Sequence, residues 1–275
     1  MSVEREESGR RRVQAEVVVP GTPEEVWRAI ATGPGVSSWF VPTEVDEKVG
    51  GEVRASFGPG MDSVSKIVAW DPPRRLEAES NDLGPDAPPV ATEWIVEARD
   101  GGTCVVRVVH SLFADSDDWD NELEAWESGW PDFFRILRLY LQHFAGQPAT
   151  LVPLMAVTSH DATAAWDKLT AALGTQGVGE GEERAVDVPE PALRIHVERV
   201  GRAGEGPHAH ELLVRTTEPA PGLAHWFAMK MGEQTLLSLR FFFYGDGAAE
   251  VAERAGPAWH AWLEERFPAP QPPQA

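Results

Sequence analysis

Near the start of the chain, apolar and polar positions alternate. Val13, Ala15, Val17 and Val19 share one face, which predicts a strand from residue 13. Pro20-Gly21-Thr22-Pro23 then makes a turn. Thr22 suits an N-cap, Pro23 the first helical position, and Glu25 completes a capping box. The helix presents Val26, Trp27 and Ile30 and is expected to stop near Thr32-Gly33-Pro34-Gly35. Short strands are expected over 44–49, 52–57, 65–70, 74–80, 92–98 and 103–111, with a polar loop at 81–89. Asp100-Gly101-Gly102 marks the tightest hairpin. Over 120–144, Trp126, Trp130, Phe133, Leu137 and Leu141 recur at helical spacing, with Leu123 and Phe134 beside them. Pro131 predicts a kink or a later start for that helix.

The same order returns further on. After a linker at 148–153, an apolar strand is expected over 151–157 and a helix over 161–173. Trp166 falls nine residues after Val157, as Trp27 falls eight after Val19. Strands follow at 185–188, 192–200, 211–216, 223–230 and 235–244. A last helix over 248–266 carries Val251, Trp259, Trp262 and Leu263 and is expected to break at Gly256-Pro257. Pro34-Gly-Val-Ser-Ser-Trp-Phe40 matches Pro221-Gly-Leu-Ala-His-Trp-Phe227, but the two stand in different elements and are not read as a duplicated site. Strand, helix, antiparallel strands and a long amphipathic helix make an α+β architecture in which a curved sheet wraps a helix.

In the first half the motifs Thr22-Pro-Glu-Glu-Val-Trp27, Trp39-Phe40, Val49-Gly-Gly51, Asp71-Pro-Pro-Arg-Arg-Leu76 and Gly101-Gly-Thr103 occur in order. Together they resemble the START-like helix-grip superfamily, and within it the C-terminal-domain type of the family named for activators of heat-shock protein 90 ATPase. The resemblance runs from about Val13 to Gly146. It implies a sheet of seven or so antiparallel strands gripping the last helix, with a cavity between them, and it implies no shared catalytic motif. A second, degenerate copy is expected over 148–267, with 13–147 as the first domain and disordered ends at 1–12 and 268–275.

Composition narrows the partners. Acidic residues outnumber basic ones 44 to 24, a net charge of -20, which argues against a nucleic-acid reader or an anionic membrane surface. Arg10-Arg11-Arg12 is the one basic cluster and is read as a solvated terminus. No secretory signal and no apolar run of about 20 residues is visible, so a cytoplasmic protein is expected. The single cysteine, Cys104, rules out an internal disulfide and is read as a small buried group.

Eleven tryptophans against two tyrosines is unusual. Trp94, Trp126 and Trp130, on inward faces, either wall a pocket for a flat apolar ligand or fill the core. The walls of a first-domain pocket are expected to be Phe57, Ile67, Trp94, Val106, Val108, Trp126, Trp130, Phe133 and Leu137, with His110 as its polar handle. His110 either serves a ligand or is a strand-end histidine with partners of its own. The acidic run from Asp115 to Glu127 fails the spacing of a calcium loop and is read as a solvated helix start. His208 and His210 share a strand face but lack a third ligand near in sequence; His196 on an adjacent strand is the one histidine that could approach, and the segment is read as a polar loop, so no metal is expected, and no cofactor.

The reading is therefore a START-like protein, without chemistry of its own, that binds a small hydrophobic or aromatic molecule or a chaperone-type protein partner. The family's chaperone-stimulating members carry a further N-terminal domain, whereas about twelve residues precede the first strand here, so the fold is expected without that anchor. The enzyme alternative is a polyketide cyclase or aromatase-like activity in the same cavity, with His110 moving protons.

Overall fold

The computed structural model describes residues 3–58, 60–84, 87–114, 118–187, 189–202, 205 and 209–269. The chain divides into two compact units, Met1–Pro148 and Ala149–Ala275.

The first unit opens with β1 (Glu4–Arg5) and β2 (Arg10–Pro20), followed by helices α1 (Pro23–Ala31) and α2 (Gly33–Ser37). Six strands come next: β3 (Thr43–Val45), β4 (Glu52–Ser56), β5 (Asp62–Asp71), β6 (Arg75–Ser80), β7 (Val90–Arg99) and β8 (Thr103–Phe113). Helix α3 (Asp120–His143) closes the unit. The sheet is antiparallel in the order β1-β2-β8-β7-β6-β5-β4-β3, so the last strand returns to pair with β2. Helix α3 lies against β2, with Leu123 packed among Val13, Val90 and Leu112.

Four local expectations change. The strand expected at 44–49 is only three residues long, and Val49 is exposed in the turn that follows. The arginine cluster is no solvated terminus: it begins β2, pairing against β8 and β1. Arg11 is buried, with its guanidinium 2.6 Å from the Asp120 carboxylate, to which Arg5 also donates at 2.6 Å. Burial alone would raise the Asp120 carboxyl, but the two arginine hydrogen bonds outweigh it and hold it below the usual range. Part of the acidic run is thus paired; Asp115 and Asp117 lie outside the described residues. Of the two readings of Pro131 the later start is excluded: helix α3 runs from Asp120 through Pro131, without the N–H that would have reached the Glu127 carbonyl.

The first helix ends at Ala31 as expected, but Gly33-Pro34-Gly35 then starts a second one. Thr32 serves both ends: its hydroxyl donates to the Arg28 carbonyl (2.7 Å) and accepts the Gly35 N–H (3.1 Å). Pro34 sits in the first turn, where its missing N–H costs nothing. The two helices cross so closely that a Cβ on Gly35 would lie 1.8 Å from the Arg28 carbonyl oxygen. Gly35→Ala is therefore expected to lower unfolding free energy by about 2 kcal/mol, read by urea denaturation, since backbone would have to move to admit one methyl. Unchanged stability would refute that close approach.

The second unit has the same order with one strand fewer in its meander: β9 (Ala149–Thr158), α4 (Ala162–Ala172), β10 (Glu183–Val186), β11 (Leu193–Val200), β12 (Glu211–Glu218), β13 (Gly222–Met231), β14 (Gln234–Tyr244) and α5 (Ala248–Arg266). Its antiparallel sheet runs β10-β11-β12-β13-β14-β9, again bringing the first strand beside the last. Pro153 fits because β9 is an edge strand, where a missing donor leaves no partner stranded. Val188, at the end of an expected strand, lies outside the described residues, as do His208 and 270–275.

Helix α5 is unbroken at Gly256-Pro257, contrary to expectation. Burial of Val251, Ala255, Trp259, Trp262 and Leu263 along one face holds it, and packing overrides the local breaker. The space between this sheet and helix is filled by Trp226, Phe241, Phe243, Trp259 and Trp262, with ring centroids 4.8 to 6.3 Å apart. Both units are α+β with an open antiparallel sheet and a long closing helix. Among the described residues no helix is long and apolar enough to cross a membrane.

Candidate functional site

In the first unit the space between sheet and α3 is not filled. It is a cavity of about 650 Å³. One face of α3 supplies Glu122, Ala125, Trp126, Gly129, Trp130 and Phe133, a stripe at three- and four-residue steps. The facing sheet supplies alternate residues of β4 to β8, among them Val53, Ala55, Ser65, Ala78, Ser80, Thr92, Trp94 and His110. Small side chains on both walls leave the space open. A Cβ on Gly129 would meet nothing within 4 Å, and Ala55, Ala78 and Ala125 add little bulk.

Helix α2 and the turn after it bring in Val36 and Phe40. Trp39 anchors that turn. Its ring is buried and its N–H donates to the Ala29 carbonyl at 2.9 Å, while Phe40 is turned to the cavity. Phe40 packs edge-on to Phe133 (centroids 4.6 Å) and stacks on Trp130 (5.6 Å). Trp94 meets Trp130 edge-on at 5.0 Å. The helix side of the cavity is therefore an aromatic wall. Exposed Phe57, Asp82 and Glu122 edge its mouth.

His110 sits on β8 opposite Thr92 of β7. The Trp130 indole donates to His110 Nε2 at 2.7 Å, and Thr92 Oγ1 lies 3.0 Å from Nδ1. An indole N–H only donates, so Nε2 must carry its lone pair and the proton of the neutral ring belongs on Nδ1, facing Thr92. Burial pushes the imidazole pKa down to about 4. The ring is thus neutral at physiological pH, with both nitrogens engaged. It cannot accept a proton at Nε2 without breaking the Trp130 hydrogen bond.

The expected wall residues separate into two groups. Phe57, Trp94, His110, Trp126, Trp130 and Phe133 line the cavity. Ile67, Val106, Val108 and Leu137 do not; each is at most 1% exposed within the core. Alternation and helical spacing assign a face but not how far the open space extends along it. The α3 stripe ends at Phe133, one turn short of Leu137. Phe40, Thr92 and the serines of β5 and β6 were missed. The Trp39-Phe40 motif and the cross-strand position of Thr92 were the available signals.

The remaining sequence candidates stay apart. Cys104 is buried, its thiol donates to the Gly21 carbonyl at 3.3 Å, and burial raises its pKa. His196 and His210 lie beside Glu198 and Thr163 respectively, and the described residues hold no group of three metal-ligating side chains.

An antiparallel sheet closed by a long helix is the helix-grip arrangement expected for the first unit. Residues 20–142 match the family model described as Activator of Hsp90 ATPase homolog 1-like protein, so the resemblance read from the motifs stands for that stretch. No curated protein matches the chain. Among solved structures, the di-domain ARO/CYC BexL from the BE-7585A biosynthetic pathway covers 95% of this chain and 100% of its own, at 16% identity and a TM-score of 0.45. DynU16, from the dynemicin biosynthetic locus, covers 93% of this chain and 97% of its own, at 19% identity and a TM-score of 0.41. The Aha1 dimer from Colwellia psychrerythraea covers 48% of this chain and 96% of its own, at 17% identity and a TM-score of 0.40. These are likenesses of fold.

Proposed function

We propose that the first unit binds a small hydrophobic or aromatic molecule between its sheet and α3. The observation that carries this is the cavity of about 650 Å³ with one aromatic wall, held open by Gly129 and three alanines. Open apolar space lowers stability, because its lining loses dispersion contacts and stays wet. A ligand of suitable shape recovers both. Small-molecule sites of this size are typically apolar with a few placed polar groups.

Against the cyclase or aromatase-like alternative stands the engagement of His110. A proton taken up at Nε2 would cost the Trp130 hydrogen bond, an indole cannot pass that proton on, and burial disfavours the charged ring. A chaperone-type partner is the other reading, carried by the family description alone, and the cavity favours the small molecule.

The test compares native mass spectra of the freshly purified protein and of Gly129→Leu. The wild type is expected to carry a discrete small-molecule increment that denaturation removes. Leucine at 129 projects from α3 into the cavity beside Trp130 and narrows it, and replacing a mid-helix glycine adds about 0.8 kcal/mol of helix propensity. That variant is expected to fold at least as stably and to lose the increment. A wild type of bare chain mass, or an increment unchanged in the variant, would sink the proposal.

A further inference from the structure

The sheet side of the cavity is chemically unlike the helix side. Ser65 of β5 and Ser80 of β6 are directly paired across strands and both line the space. Such neighbours hold their Cβ atoms about 5 Å apart, so the two hydroxyls form one polar spot. Ser80 is 8% exposed, and neither serine side chain has a hydrogen-bond partner among the described residues. Nearer the mouth, Ser63 donates to Asp82 at 2.6 Å. The cavity lining contains no lysine or arginine among the described residues, while carboxylates of Asp82 and Glu122 stand at its edge.

Resting on the binding reading above, we infer that the ligand is an uncharged planar aromatic bearing a hydroxyl or carbonyl on one edge. Its rings lie against Phe40, Trp130 and Phe133, and its polar edge lies on Ser65 and Ser80. The argument has two parts. Cavity-lining hydroxyls reward a ligand edge that can hydrogen-bond to them over one that cannot. An anion entering this space meets two carboxylates at the mouth and no counter-charge within, so desolvation of its charge goes uncompensated.

Isothermal titration of the full chain with 2-naphthol, 2-methylnaphthalene and 2-naphthoate tests this. The three share one ring system and differ at one edge. One hydrogen bond corresponds to roughly three- to tenfold in affinity, so 2-naphthol is expected to bind that much tighter than 2-methylnaphthalene. It is expected to exceed 2-naphthoate by at least about tenfold. In S65A/S80A the preference for 2-naphthol over 2-methylnaphthalene should vanish while 2-methylnaphthalene binds as before. Retained preference in that variant, equal binding of 2-naphthoate, or an equal loss of both neutral ligands would each overturn the inference; the last would make the serines packing residues. If none of the three binds the wild type saturably, the binding reading itself fails and this inference falls with it.

Discussion

Trp130→Ala is expected to lower the stability of the first unit by about 4 kcal/mol, the range for deleting a buried aromatic. Trp130 is 9% exposed and contacts Phe40, Trp94, Phe133 and Phe134 with centroids 5.0 to 6.0 Å away. Its N–H also satisfies His110. Trp130→Phe separates the two roles, since it keeps a ring and removes the donor. That leaves a buried imidazole lone pair unsatisfied, a cost of about 2 kcal/mol. Urea unfolding of both variants, with the imidazole followed by NMR, checks the assignment. The phenylalanine variant should also titrate its histidine at higher pH, because no indole donor then opposes protonation of Nε2. A phenylalanine variant as stable as wild type, with an unmoved imidazole pKa, would remove the indole–imidazole bond from the account.

The second large effect is a loss of stability in mild acid. The folded-state pKa of His110 is about 4, against about 6.5 in the unfolded chain. Between these values the unfolded state binds more protons, so stability rises with pH. The contribution is therefore complete above pH 6.5 and is lost as pH falls towards 4, about 3 kcal/mol in all and about 1 kcal/mol of it between pH 7.5 and 5.5. Other groups titrate in the same window, so the measurement is a difference. His110→Gln keeps an acceptor for Trp130 and removes the titration. Its unfolding free energy should fall less steeply with acid than that of the wild type. Parallel slopes would mean that His110 is hydrated and unperturbed.

Much of the first unit was legible in the sequence because its signals are local. The capping box at Thr22 and Glu25 forms as read, with Glu25 Oε2 2.9 Å from the Thr22 N–H and Thr22 Oγ1 3.3 Å from the Glu25 N–H. Alternation gave the inward face of β8, and helical spacing gave the stripe on α3. Where expectation failed, a longer-range partner had changed a local rule. Gly33-Pro34-Gly35 ends α1 as read, yet it also starts a second helix, because Thr32 caps it and α1 packs against Gly35. Gly256-Pro257 looked like a break but lies in a continuous helix, because Trp259 and Trp262 are held by the sheet.

The tryptophans mark the division between the two sources of information. Sequence alone placed Trp94, Trp126 and Trp130 on inward faces and Trp259 and Trp262 on the last helix, since amphipathic periodicity is a property of the chain. It could not say which faces meet. Trp226, Trp259 and Trp262 close on one another and on Phe241, so the second unit is packed there. Trp94 stands beside Ala55 and Ala78 on the sheet wall and Trp126 and Trp130 beside Gly129 on α3, so in the first unit they border open space. Open or filled is a sum over side chains from elements distant in sequence. The periodicity of each strand and helix is written in its own residues; the volume left between them exists only once they are brought together.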